Sequence, residues 1–189
     1  MNKSFNYAIR LLLICAVATL ILAFTNAKTA PVIAERQKQQ TLEAYKKVYP
    51  EAEEIKPIQD TSLLSDHVID IQQVEVGGAV DGYIFNVVSP TGYDGPVTYV
   101  VGVQKDGTVK GMAVIAQTET KGFGAAVAEP AYAEAMKGAI LKGEIVRGSQ
   151  AGESTIPSLS GATKTTNAMV GGMNAVSEAM AKLSGGETK

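Results

Sequence analysis

The sequence predicts an α+β domain, an antiparallel sheet with packed helices, preceded by one N-terminal transmembrane helix. Three features point there. A 17-residue stretch near the N-terminus, Leu11 to Ala27, carries no charge. Four β-branched and aromatic runs succeed one another between His67 and Glu119, separated by turn residues. Two segments with helical apolar spacing then close the chain, and strands followed by helices read as α+β rather than as a parallel α/β sheet.

The stretch "LLLICAVATLILAFTNA" reaches about 26 Å as a helix, close to the thickness of a hydrocarbon core. Ala8 and Ile9 extend it, with Arg10 snorkelling to the interface. Lys3 and Arg10 precede the run, so the positive-inside rule predicts a cytoplasmic segment 1–7, a span over 8–27 and an extracytoplasmic domain. A cleaved signal peptide ending at Thr25-Asn26-Ala27 is the competing reading; a retained anchor is preferred. Cys15 lies inside the run and reads as a lipid-facing apolar residue. Residues 28–60 are expected as a helical connector. Within it Glu35 to Tyr49 is polar, with Leu42, Tyr45 and Val48/Tyr49 at helical spacing, and Pro50 stops it.

The domain is expected over 61–184. Its strands are "HVIDIQQVEV", "GYIFNVVS", "PVTYVVGVQ" and "VKGMAVIAQTE". Gly77-Gly78, the segment Ser89 to Gly95, and Lys105-Asp106-Gly107 supply the turns, and Asp-Gly is a strong hairpin signal. "EPAYAEAMKGAILKG" reads as a helix with Tyr132, Met136 and Ile140 on one face. A short strand over Glu144 to Arg147 is expected next. In the last helix, "TTNAMVGGMNAVSEAMAKLSGG", Met169, Met173, Val176 and Met180 recur at helical spacing and are expected in the core. Gly171-Gly172 costs that helix about 1 kcal/mol per residue relative to alanine. Close approach of another backbone or a bulky ligand would explain the pair, as would weak helix selection. Residues 185–189 are expected as a disordered tail.

Composition excludes several chemistries. A net charge of −2 with no basic patch argues against nucleic-acid binding. One cysteine and one histidine allow no internal disulfide, no structural zinc site and no cysteine-ligated iron–sulfur cluster. His67 falls at the head of an alternating strand pattern and reads as an ordinary strand or surface residue. Redox work by this chain would therefore need an organic cofactor.

Two motifs carry chemistry. In "QTETKGFGAAV" a strand runs into a loop where Gly122 and Gly124 allow positive φ and close backbone approach. It is no dinucleotide fingerprint: Val127 occupies the third glycine position and the parallel βαβ context is missing. Glu119 and Thr120 add polar groups beside the loop amides. The second motif is "SLSGATKTT", at the start of the last helix. One hydroxyl suffices to cap a helix. This segment supplies Ser160, Thr163, Thr165 and Thr166, with the small Gly161 and Ala162 leaving the approach open. Free amides at a helix start attract phosphate, so the residues predict a phosphate-binding helix N-terminus with an accessible threonine. A threonine hydroxyl without a base is a poor nucleophile, so hydrolysis at Thr163 is disfavoured.

Ser160-Gly161-Ala162-Thr163 is similar to the S/T-G-A-T sequence at which membrane flavoproteins of the Rnf and Nqr complexes carry covalent FMN. The segment Gly92 to Thr120 resembles that family's sheet, and Glu119-Thr120-Lys121-Gly122-Phe123-Gly124 resembles its E-T-P-G-L-G loop. The N-terminal anchor and the outside-facing domain match too. The short chain looks more like the Rnf G subunit than the longer Nqr C subunit. Two positions depart from the pattern: Pro157 stands where an aspartate is frequent, and Lys121 replaces the loop proline.

The resemblance implies FMN esterified through its phosphate to Thr163. Ser160, Gly161, Ala162, Thr165 and Thr166 would surround the phosphate. Glu119, Thr120, Lys121, Gly122 and Gly124 would line the flavin. It implies an electron carrier within an ion-translocating ferredoxin:NAD oxidoreductase, partnered by the other Rnf membrane and soluble subunits, a flavin transferase and membrane lipid. The alternative is an anchored ligand-binding or adaptor module of the same fold without covalent cofactor, which Pro157 favours.

Overall fold

Between Gln40 and Thr41 the chain divides into two units, and the computed structural model describes residues 3–186. Helix α1 runs over Lys3–Val48 and includes Pro31. Up to Gln40 its described side chains are exposed, and an 18-residue window of the helix reaches a mean hydropathy of 2.4. It is long and apolar enough to cross a membrane.

The second unit is built on an antiparallel five-stranded meander: β1 (Glu54–Pro57), β2 (Val68–Val76), β3 (Ala79–Ser89), β4 (Val97–Gln104) and β5 (Val109–Ala116), each paired with its neighbour in sequence. Gly77 and Gly78, at φ +60 and +76, form the two-residue turn between β2 and β3. Strand β1 falls inside the expected helical connector 28–60, which is therefore not helical throughout. Pro50 lacks an amide hydrogen and follows the end of α1. The chain then turns back, and Ile55 pairs with Val74 while Lys56 Nζ meets Glu75 Oε2 at 2.8 Å.

Alternation along β3 and β4 gives the sheet two buried faces. Phe85, Val87, Tyr99, Val101 and Val103 share one core with Met169, Met173, Val176 and Met180 of helix α3, Thr163–Gly186. The methionine stripe is therefore core. Leu183 packs against the same cluster and carries the last turn, so residues 185 and 186 are helical rather than tail; 187–189 lie outside the described residues.

The opposite face holds Val74, Ile84 and Val100 against Ala44, Tyr45, Val48 and Tyr49. Three glycines on adjacent strands make the trough for this segment. A Cβ on Gly102 would stand 2.8 Å from the Val48 carbonyl oxygen, one on Gly111 3.1 Å from Val48 Cα, and one on Gly82 2.7 Å from the Tyr49 hydroxyl. Tyr49 donates to Asp81, and Lys110 Nζ lies 5.4 Å from the centre of its ring. Tyr45 donates to Asp70 at 3.1 Å and accepts from Asn86 at 2.6 Å. Leu42, expected on the apolar face, is instead 51% exposed. The buried face of this last stretch is formed by Ala44, Tyr45 and Val48, and Leu42 falls outside it.

Helix α2 is confined to Pro130–Met136, shorter than expected, because Gly138 at φ +78 turns the chain out of the helix. Tyr132 and Met136 are buried as expected, whereas Ile140 bridges to Thr108 and Glu153. The expected strand near Glu144 is β6, Val146–Gly148, paired in parallel with β7, Thr155–Pro157. His67 precedes β2; its Nδ1 lies 3.0 Å from the Val88 carbonyl oxygen, a structural contact away from the motifs.

Candidate functional site

Three chain segments converge at one end of the sheet: the β3–β4 loop, the loop after β5, and the start of α3. They enclose an open pocket of about 480 Å³ lined by Tyr93, Glu119, Thr120, Phe123, Gly124, Gly161, Ala162, Thr163, Lys164 and Thr165. Small-molecule sites run from about 300 to 1,000 Å³. The two sequence motifs, some forty residues apart, thus form the walls of a single cavity.

The helix entry is stitched by Thr166. Its hydroxyl accepts from Leu159 N at 3.0 Å and donates to the Ala162 carbonyl at 3.0 Å. Gly161, at φ +72, lets the chain turn into the helix, and a Cβ there would press on the Phe123 ring at 3.2 Å. The amides of Thr163, Lys164 and Thr165, ahead of the first helical bond from Thr166 N to the Ala162 carbonyl, have no intrahelical acceptors and form the positive end of a 24-residue helix. Thr163 is its first residue.

Glu119 joins all three segments. Its Oε2 accepts the Thr165 hydroxyl at 2.6 Å, and its Oε1 accepts the amides of Tyr93 at 2.7 Å and Asp94 at 3.3 Å. Both carboxylate and threonine are buried, Glu119 at 6% and Thr165 at 1% exposure. Thr120 extends the same seam by donating to Asp94 Oδ2 at 3.0 Å. Gly124 is explained by this arrangement. A Cβ there would collide with Glu119 Oε2 and stand 2.5 Å from Thr165 Oγ1.

The four expected hydroxyls are therefore not equivalent. Those of Thr165 and Thr166 are buried and engaged inside the protein. Thr163 is exposed, lines the pocket, and has no hydrogen-bond partner among the described residues. Ser160 is exposed but outside the lining, as are Lys121 and Gly122; Gly122, at φ +80, has nothing within 4 Å of a Cβ. Pro157 is buried at the end of β7, where its carbonyl accepts the Tyr132 hydroxyl at 3.0 Å.

Tyr93, Phe123 and Lys164 are lining residues that the motifs did not bring forward. Tyr93 and Phe123 are 66% and 55% exposed at the pocket mouth, and Lys164 Nζ sits 5.7 Å from the centre of the Tyr93 ring. The signal of the two rings was an aromatic residue flanked closely by glycines, in "GYDG" and "GFG". Among the described residues no group of three or more histidine, cysteine, aspartate or glutamate side chains could hold a metal ion.

A pocket lined by Gly124 and Gly161 at a helix N-terminus, on an antiparallel sheet, in a chain whose N-terminal helix is apolar, defines the class. It is an FMN-binding domain: the family of that description matches residues 92–178, which contain both motifs. A second family, described as the RnfG N-terminal region, matches residues 1–48. The G subunit of the Na(+)-translocating ferredoxin:NAD(+) oxidoreductase complex of Acetobacterium woodii is 30% identical over 90% of this chain and 88% of its own length. The G subunit of the ion-translocating oxidoreductase complex of Methanosarcina acetivorans is 28% identical over 66% and 68% of the two chains. The chain belongs to this family, the Rnf complex G subunits. Its fold is that of two crystal structures, Shewanella oneidensis NqrC and the C subunit of the Na(+)-translocating NADH-quinone reductase from Parabacteroides distasonis, each at a TM-score of 0.52. The first is 17% identical over 74% of this chain and 85% of its own; the second is 20% identical over 67% and 75%.

Proposed function

We propose that this protein is a membrane-anchored, electron-carrying flavoprotein subunit of an ion-translocating ferredoxin:NAD oxidoreductase, with FMN joined through its phosphate to Thr163. The observation that carries this reading is the state of the Thr163 hydroxyl. Of the three threonines at the helix entry, it is the one that lines the pocket with no partner among the described residues. Thr165 has a carboxylate acceptor at 2.6 Å, the usual signature of an activated hydroxyl, yet at 1% exposure it is shut away from any donor.

The residues suit the group in three respects. The positive N-terminal end of α3 lies at the pocket and suits an anion, Gly161 and Ala162 keep the backbone accessible, and the exposed rings of Tyr93 and Phe123 offer apolar faces at the mouth. FMN, when bound, takes up and releases the electrons. The protein's part is to hold the phosphate at the helix start, shape the cavity with Glu119, Thr120 and Gly124, and keep the carrier at the membrane. Among the described residues no carboxylate or histidine is hydrogen-bonded to the Thr163 hydroxyl, which supports maturation by a separate flavin transferase. Lys3 and Arg10 before the apolar run support an extracytoplasmic domain, where a tethered flavin is not lost. Electron donors and acceptors are the other subunits of the complex.

The second reading, an anchored adaptor without covalent cofactor, draws on Pro157, which leaves the approach to Thr163 without a carboxylate at that position. Intact-mass spectrometry of protein purified from membranes separates the two. The expected mass is the polypeptide plus FMN less one water; the bare polypeptide mass would favour the adaptor.

A further inference from the structure

Two loops and a helix meet at one side chain. The Glu119 carboxylate is 6% exposed, lines the pocket, and receives hydrogen bonds from two different segments: the Tyr93 and Asp94 amides on Oε1 and the Thr165 hydroxyl on Oε2. Every one of these partners donates, the pattern of an ionised carboxylate. Thr165 is the third residue of α3, so the charge also sits at the positive end of that helix. Its surroundings are made to fit. A Cβ on Gly92 would stand 2.5 Å from Oε1, and one on Gly124 would collide with Oε2, so both neighbouring segments approach only because they are glycine there.

From this arrangement we infer that Glu119 is a positioning residue for the cofactor. Its carboxylate fixes the distance between the β3–β4 loop and α3 and places a negative charge beside the pocket. The inference rests on the reading of the pocket as the FMN site. Electron uptake in that pocket adds negative charge near a carboxylate that is buried and screened little by solvent. The carboxylate therefore opposes reduction and holds the bound flavin at a lower midpoint potential than the same pocket without the charge. Its hydrogen bonds run to Tyr93, Asp94 and Thr165, so it acts on Thr163 through Thr165 and the helix.

Two variants of the full chain, produced with the complex, separate position from charge. In Glu119→Gln the amide oxygen still accepts from Tyr93 and Asp94, and the amide nitrogen donates to the Thr165 oxygen, so the walls stay joined while the charge is gone. In Glu119→Ala both are lost. Amide hydrogen exchange at Tyr93 and Asp94 reads the joint, and redox titration of the flavin reads the charge. The expected result is an upward shift of the midpoint potential in Glu119→Gln with parental exchange at Tyr93 and Asp94. Glu119→Ala should exchange those two amides at least about tenfold faster, as expected when a bond to a charged acceptor is lost. A flavin-bearing Glu119→Gln protein at the parental potential, or parental exchange in Glu119→Ala, overturns this inference and leaves the FMN site standing. Should the alanine protein fail to fold, the potential of the glutamine protein decides alone. A parent protein that carries no flavin overturns the reading of the pocket and this inference with it.

Discussion

Gly172 of α3 lies directly against Tyr99 of β4: a Cβ on Gly172 would collide with the Tyr99 hydroxyl and stand 2.7 Å from Ser89 Oγ. This contact explains one of the two adjacent glycines in the helix. Gly172 admits the sheet's tyrosine, whereas the nearest atom to a Cβ on Gly171 is His67 Cε1 at 3.7 Å. Thermal unfolding of the detergent-solubilised protein should distinguish them. Gly172→Ala overpacks the interface and should destabilise by about 1–3 kcal/mol. Gly171→Ala meets ordinary contact and should gain up to about 1 kcal/mol from helix propensity. Equal effects of the same sign would contradict the packing given for α3.

The loop glycines differ in the same way. Gly124→Ala drives a methyl into the Glu119–Thr165 hydrogen bond, and losing a bond to a charged group costs about 1.5–3 kcal/mol. Gly122→Ala meets no atom but must hold φ near +80, which costs about 1–2 kcal/mol. Flavin fluorescence anisotropy should fall in Gly124→Ala and stay parental in Gly122→Ala, although both melt earlier. A parental anisotropy in both would mean that the seam between Glu119 and Thr165 does not shape the pocket.

Buried tyrosines give the fold an alkaline limit. Burial, reinforced by Asp70 against the help of Asn86, pushes the Tyr45 phenol from its ordinary 10.0 up to about 12. Burial raises Tyr49 further still, with the hydrogen bond to Asp81 adding to it, and burial alone lifts Tyr132. A pKa raised on folding means that the unfolded chain releases its proton first as pH rises. The contribution of these groups is complete below about pH 10, the unfolded value, and is lost as pH climbs through 12 and beyond. Chemical denaturation midpoints should hold between about pH 8 and 9.5 and then decline steadily. A midpoint that rises above about pH 10 would contradict the burial of these phenols.

The strands were legible because their neighbours in sequence are their neighbours in the sheet. Gly77-Gly78 and Asp106-Gly107 announced turns, and the runs between them carried β-branched residues on both faces. The last helix was legible from its methionine spacing. Strand β1 was not, since Glu54 to Pro57 has a single large aliphatic side chain, Ile55, and is held by pairing with β2 rather than by its own pattern. Nor was the trough for Tyr45 to Tyr49, because Gly82, Gly102 and Gly111 lie on three strands and line up only once the register is set. At the site, the threonine cluster and the glycine loop stood out as motifs. Which hydroxyl is engaged depends on Glu119, 46 residues from Thr165, and local sequence says nothing about that distance. Tyr93 and Phe123 look like ordinary loop residues until the loops converge.

Attachment of the flavin at Thr163 is decided by in-gel flavin fluorescence after denaturation, read across threonine variants of the membrane-purified protein. Thr163→Ala deletes the exposed hydroxyl and should give a dark band of normal abundance. Thr163→Ser keeps a hydroxyl in the pocket and should retain some fluorescence. Thr166→Ala removes the stitch from Leu159 to Ala162, and Thr165→Ala removes the donor to Glu119; both should remain fluorescent at reduced intensity, since both hydroxyls are buried and already engaged inside the protein. A Thr163→Ala band as bright as the parent, with Thr165→Ala dark, would contradict attachment at Thr163 and move it to the threonine that Glu119 holds.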